Sequence, residues 1–159
     1  MLELILIRHA HAGPHIEPDF ERKLSERGKT ESLKSAQVMK YSHHIPGHWI
    51  VSSAQRTRET ATIITDSLPE LAAKMDFHLE LYEAPMENYL KFMEKSAMKT
   101  IYLVGHNPTI SRMASHFSNQ SIGMETGDIV HLRWENLDKW EEINFFSAEI
   151  VYHYTPKFN

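Results

Sequence analysis

Three short segments of this sequence carry residues able to handle a phosphoryl group. Arg8-His9 ends the apolar run Leu4 to Ile7, Ser52-Ser53 and then Arg56 follow the run Trp49 to Val51, and Gly105-His106-Asn107 follows the run Ile101 to Val104. Arginine offers planar, permanently charged donors that match phosphate oxygens. A neutral imidazole has a lone pair that can attack phosphorus, and positive neighbours lower the pKa of His9 and so keep it neutral. The set implies a metal-independent phosphatase chemistry. His9 would be the nucleophile and form a phosphohistidine intermediate, while Arg8, Arg56 and His106 bind the phosphoryl group. An Arg-His pair alone is a weak signal. The three pieces together, each after an apolar run, are a strong one.

The elements that must position them follow from the same runs. Continuous apolar runs are typical of strands buried on both faces. Ser25 is a good N-cap for a helix ending before Pro46, and a second helix is expected over Arg56 to Ser67. Residues 76 to 82 alternate as a strand, and Pro85 opens a helix over Met86 to Met98. Asn107 as cap and Pro108 at the first position open a helix running to about Phe117. Ile129 to Trp134 and Ala148 to Tyr154 read as two strands paired in a hairpin. Residues 14 to 24 read as a surface loop. The pattern predicts an α/β three-layer sandwich: a mostly parallel central sheet, helices on both faces, and an antiparallel edge strand or C-terminal hairpin. No repeat or linker interrupts it, so a single domain is expected over 1–159. In such sheets ligands bind beyond the carboxyl ends of strands, where all three segments converge. The helix opening near Asn107 adds free backbone N–H groups there.

Composition narrows the function further. The 159 residues carry a formal net charge of -4 and no cysteine. Disulfides, thiol zinc sites and cysteine phosphatase mechanisms are thereby excluded. A weakly acidic chain is a poor general binder of nucleic acid, and no nucleic-acid partner is expected. The start does not read as a signal peptide and no apolar run approaches the length of a membrane span, so a cytoplasmic protein without membrane association is expected. There is no Walker-type phosphate loop and no paired aspartate set for a magnesium-dependent phosphatase. No metal and no cofactor are expected.

The motifs resemble those of the histidine phosphatase superfamily, the phosphoglycerate mutase-like proteins. Arg8-His9, Ser52-x-x-x-Arg56 followed by Thr60-Ala61, and Gly105-His106-Asn107-Pro108 carry the resemblance. Leu24-Ser25-Glu26-Arg27-Gly28 and Thr126-Gly127 extend it, so that it covers residues 1 to about 150. It is closer to the small single-domain phosphohistidine phosphatases, which commonly have Ala where the wider superfamily has Gly, as Ala10 does here. The resemblance implies His9 as nucleophile and Arg8, Arg56 and His106 as phosphoryl ligands. Asn107 matches a position near that pocket, with a substrate-binding role.

Most superfamily phosphatases protonate the leaving oxygen with a carboxylic acid. Glu83, between Arg56 and His106, is the candidate proton donor; its alternative is a solvated loop carboxylate. The subgroup often lacks a dedicated acid, and phosphohistidine has a labile P–N bond that needs less help. Other polar residues have plainer readings. Arg58 and Glu59 read as solvated, and His11 either lines the pocket rim or is merely exposed. His43, His44 and His48 match no standard zinc spacing and read as a surface turn, while His116, His131 and His153 are scattered. Trp134 and Trp140 read as core or hairpin packing.

The expected partner is a phosphohistidine-bearing protein or a small phosphate compound. A phosphomonoesterase of the same superfamily and a silent phosphate-binding module are the alternatives. Mutases of the superfamily carry a covering insert between the second Arg and the second His. The short stretch between Arg56 and His106 leaves the pocket open, which suits a protein substrate.

Overall fold

Leu2–Arg8 forms β1, and its side chains divide cleanly between two cores. Leu2, Leu4 and Leu6 pack into one cluster and Ile5 and Ile7 into the other, the period-two alternation of a strand buried on both faces. Burial of each such side chain contributes roughly 1.5–3 kcal/mol. The computed structural model describes residues 1–157. Residues 158 and 159, the end of the domain expected over 1–159, lie outside the described residues.

The remaining elements are α1 (Glu26–Tyr41), β2 (Gly47–Ser52), α2 (Gln55–Ser67), β3 (Ala72–His78), α3 (Met86–Glu94), β4 (Thr100–Gly105), α4 (Thr109–Ser118), β5 (Ile129–Trp134) and β6 (Glu149–Tyr154). The six strands form one sheet in the order β3-β2-β4-β1-β5-β6. β1, β2, β3 and β4 run parallel, β5 is antiparallel to β1, and β6 is antiparallel to β5. Ala36 and Met39 of α1 and Ala61 and Ile64 of α2 cover one face. Tyr89 and Met93 of α3 and Ile110, Met113 and Phe117 of α4 cover the other. This is the three-layer α/β sandwich with an antiparallel edge that the sequence predicts.

Helix α1 starts as expected, with the Ser25 hydroxyl accepting from the Gly28 N–H at 3.0 Å. Gly28 also lies against the loop after β1; a Cβ there would fall 2.1 Å from the His11 carbonyl oxygen. The buried Trp134 and Trp140 stand edge-on, and their indole N–H groups donate to Ser147 Oγ and the Met98 carbonyl.

Several expectations are corrected. β3 spans Ala72–His78 rather than 76 to 82, because only those residues pair with β2; Leu79–Leu81 is a 3-10 turn. α3 stops at Glu94 rather than Met98, where a turn feeds β4 and Ser96 N–H bonds back to the Met93 carbonyl. His44 and His48 do not belong to a surface turn. His48 is buried in β2, bridging Ser96 Oγ and Asp76 Oδ2 at 2.7 Å each, and half-buried His44 meets Tyr152. Glu59 is not solvated: its carboxylate accepts the Leu24 N–H at 2.6 Å and so pins the loop before α1. Asn107 does not cap α4, since its side chain is drawn to Met124 and Ser111 and Pro108 holds the cap position. No helix among the described residues is long and apolar enough to cross a membrane.

Candidate active site

The sheet register brings the three segments together. Arg8 pairs with Gly105 and Val51 with Val104, so β1, β4 and β2 end side by side. His9 continues from β1, its N–H bonded to the Gly105 carbonyl at 3.2 Å. His106 follows β4, and Arg56 sits in the first turn of α2 just past β2. Arg8, His9, Arg56, His106 and Asn107 line one hollow of about 330 Å³ together with His11, Ala12, Arg22 and Thr126. His11 thus lines the rim rather than standing apart.

His9 is 8% exposed and held in one orientation. Its Nδ1 lies 2.8 Å from the Ala10 carbonyl oxygen. A carbonyl only accepts, so Nδ1 carries the proton and Nε2 carries the lone pair. Arg56 Nε donates toward that lone pair at 3.4 Å. Burial, aided by the charges of Arg56 and Arg8 and by His106, pushes the His9 pKa down to about 3. The ring is therefore neutral at neutral pH. Its backbone is pinned as well, with the next residue's N–H donating to Thr60 Oγ1 at 3.0 Å.

His106 lies with its ring centroid 5.3 Å from that of His9. Its Nε2 meets Ser52 Oγ at 2.8 Å, which is the contribution of the β2 end to the site. Burial first, then Arg56 and Arg8, lower its pKa to about 4. Arg8 is anchored by Nη1 to the Met124 carbonyl at 2.9 Å. Arg8 Nε and His106 Nδ1 are buried without a hydrogen-bond partner among the described residues. Arg8, Arg22 and Arg56 bring three guanidinium groups to a hollow with no carboxylate among the described residues of its lining, a set that suits an anion.

Behind the site, buried Glu31 of α1 ties the loop after β1 to the segment before β5. It accepts from the His11 N–H at 2.7 Å and from Thr126 Oγ1 at 3.2 Å. Gly127, at φ 77, donates its N–H to the Arg8 and His9 carbonyls. That left-handed backbone explains glycine at this position.

Glu83 is not part of this hollow. It is exposed, with φ 51, and lines a neighbouring space of about 520 Å³ with Pro85, Pro108 and Arg112, which shares only His106 and Asn107 with the first. The largest revision concerns residues 14 to 24, expected as a surface loop. A 3-10 turn at Asp19–Glu21 folds over the site. Asp19 takes both ends of the Arg56 guanidinium, and Arg22 joins the lining. Tyr82, edge-on to His106, donates to Asp19. No sequence signal marked Asp19, Arg22 or Tyr82, since charged loop residues have no period. Glu31, within an amphipathic helix, had none either.

No family model matches the chain. An uncharacterized chloroplastic protein of Arabidopsis thaliana is 28% identical over 151 residues, covering 87% of this chain and 69% of that protein. Among solved structures, one from Agrobacterium tumefaciens named for the phosphohistidine phosphatase SixA superposes with a TM-score of 0.82 at 22% identity, covering 98% of both chains. A like-named structure from Nakamurella multipartitia gives 0.84 at 21% identity, covering 98% of this chain and 96% of that one. The protein histidine phosphatase SixA complexed with tungstate gives 0.79 at 16% identity, covering 96% of both. At such identities the likeness speaks to the fold, and the chain has the three-layer α/β fold of the SixA structures.

Proposed function

We propose that this chain is a metal-independent phosphatase that transfers a phosphoryl group to His9 Nε2, with a phosphohistidine-bearing protein as substrate. The observation that carries the proposal is the His9 orientation. Its Nδ1 proton is committed to the Ala10 carbonyl, and its Nε2 lone pair lies in a hollow walled by Arg8, Arg56 and His106. In the first step the Nε2–P bond forms and the bond from phosphorus to the leaving group breaks. The leaving imidazole departs with its proton already in place or takes one from water. In the second step water attacks the phosphorylated His9, the Nε2–P bond breaks, and inorganic phosphate leaves. The arginines and His106 stabilise charge on the equatorial oxygens in both steps.

Substrate choice rests on the lining. No carboxylic acid is among the residues around the hollow, and Glu83 stands in the adjoining space. Such a site favours a leaving group that departs without a strong general acid, and the imidazole of phosphohistidine is one. The Agrobacterium tumefaciens and Nakamurella multipartitia structures, named for the phosphohistidine phosphatase SixA, support the same choice. A cytoplasmic setting belongs to this reading.

The test is phosphate release from a phosphohistidine-bearing protein and from a small phosphate ester in parallel, with His9→Ala as control. Faster cleavage of the phosphohistidine substrate and a dead variant are expected. Faster ester cleavage would overturn the substrate, and cleavage of neither would leave a silent phosphate-binding module.

A further inference from the structure

Arg56 makes more contacts with the loop before α1 than with His9. Its Nη1 donates to the Asp19 carbonyl oxygen at 2.8 Å and its Nη2 to Asp19 Oδ2 at 3.1 Å. The outer edge of the guanidinium is thereby clamped, and the Nε edge faces His9 Nε2 at 3.4 Å. Asp19 is itself fixed from three directions. Arg22 Nη1 donates to Oδ1 at 3.1 Å, while the Tyr82 hydroxyl and Arg56 share Oδ2. Phe20 packs edge-on against Tyr82 with centroids 5.0 Å apart, which holds the turn down. Arg22 is anchored in turn by Nη2 on the Gly13 carbonyl at 2.8 Å. These hydrogen bonds, the Tyr82 hydroxyl first, hold the Asp19 carboxyl well below the usual carboxylate range, so it stays ionised.

We propose that Asp19 is a positioning residue for the phosphoryl-binding Arg56: it grips the outer edge of the guanidinium and so aims the inner edge at the phosphoryl group on its way to His9. The proposal rests on the function proposed above. A free arginine side chain has several rotatable bonds, and ordering them while the phosphoryl group transfers costs free energy. Asp19 holds Arg56 in place before substrate arrives. It also leaves unclaimed by Asp19 the side edge of the guanidinium, the Nε–H and the second N–H of Nη2, a pair of donors able to meet an oxyanion from the His9 side. Arg22 and Tyr82 matter through Asp19, since they fix the carboxylate that fixes Arg56.

The alternative is an internal anion that competes with substrate for Arg56, and the two predict opposite signs. The experiment is a double-mutant cycle of Asp19→Asn and Arg56→Ala. It reads both turnover of a phosphohistidine-bearing protein and binding of inorganic phosphate by calorimetry, with thermal melts to confirm folding. A charge-assisted hydrogen bond contributes about 1.5–3 kcal/mol, so kcat for Asp19→Asn is expected to fall roughly ten- to hundredfold, with weaker phosphate binding. The double variant is expected to be no worse than Arg56→Ala alone, because Asp19 acts through Arg56. Tighter phosphate binding or unchanged turnover in Asp19→Asn would overturn the positioning role. So would losses that add fully to those of Arg56→Ala. An inactive wild type refutes the proposed reaction instead, and the phosphate-binding cycle still decides the role of Asp19.

Discussion

Acidification should leave His9 neutral long after an ordinary histidine has charged. An imidazole with a pKa of 6.5 is about three-quarters protonated at pH 6, while one with a pKa near 3 is protonated in about one molecule per thousand. The structure places His9 in the second class because burial outweighs the bond from Nδ1 to Ala10, and His106 and the nearby arginines add to it. The folded pKa lies below the unfolded one, so the unfolded chain takes up the proton first. Stability from this group is thus full above about pH 6.5 and is lost progressively as pH falls toward about 3. At about 1.4 kcal/mol per pH unit, the upper bound for His9 is about 5 kcal/mol. That is a large share of the ~5–15 kcal/mol of a typical domain. The assay is an NMR titration of the imidazole ring protons from pH 7.5 downward, with His9→Gln and His106→Gln to assign them. His9 is expected not to titrate above about pH 5, with His106 midway near 4. Saturating inorganic phosphate should move both midpoints upward, since an anion binds the charged rings more tightly. A ligand-free His9 midpoint at 6 or above would refute the reasoning, because burial would then not be keeping the nucleophile neutral.

Glu83→Gln is expected to leave phosphohistidine hydrolysis within a few-fold of wild type and to slow aryl phosphate hydrolysis more; equal hundredfold losses on both would assign Glu83 as a general acid. Turnover should persist in excess chelator, and loss on chelation with recovery on adding a divalent ion would count against the His9 mechanism. Gly28→Ala forces a Cβ to within 2.1 Å of the His11 carbonyl oxygen. Urea denaturation should show a loss of about 1–3 kcal/mol, with turnover reduced because the displaced loop carries the pocket rim. Unchanged stability would mean that α1 and this loop separate freely.

The sequence by itself determined the sheet and the residues at its carboxyl edge. The runs Leu4 to Ile7, Trp49 to Val51 and Ile101 to Val104 are apolar on both faces, as a strand in the sheet interior needs, and the residues just after each are placed by the strand. That logic locates Arg8, His9, Ser52 and His106, and Arg56 follows one helical turn on. It fails where no period exists. Residues 76 to 82 alternate, but pairing with β2 ended β3 at His78 and left Leu81 to enter the core from a turn. His48 and Glu59 looked exposed because their partners, Ser96, Asp76 and Leu24, are distant in sequence. Asp19 is the clearest case. Its grip on Arg56 spans 37 positions, and its bond from Tyr82 spans 63. Only tertiary structure could decide it, because a hydrogen bond between two loops depends on where the packed helices and sheet carry their ends and leaves no pattern along the chain.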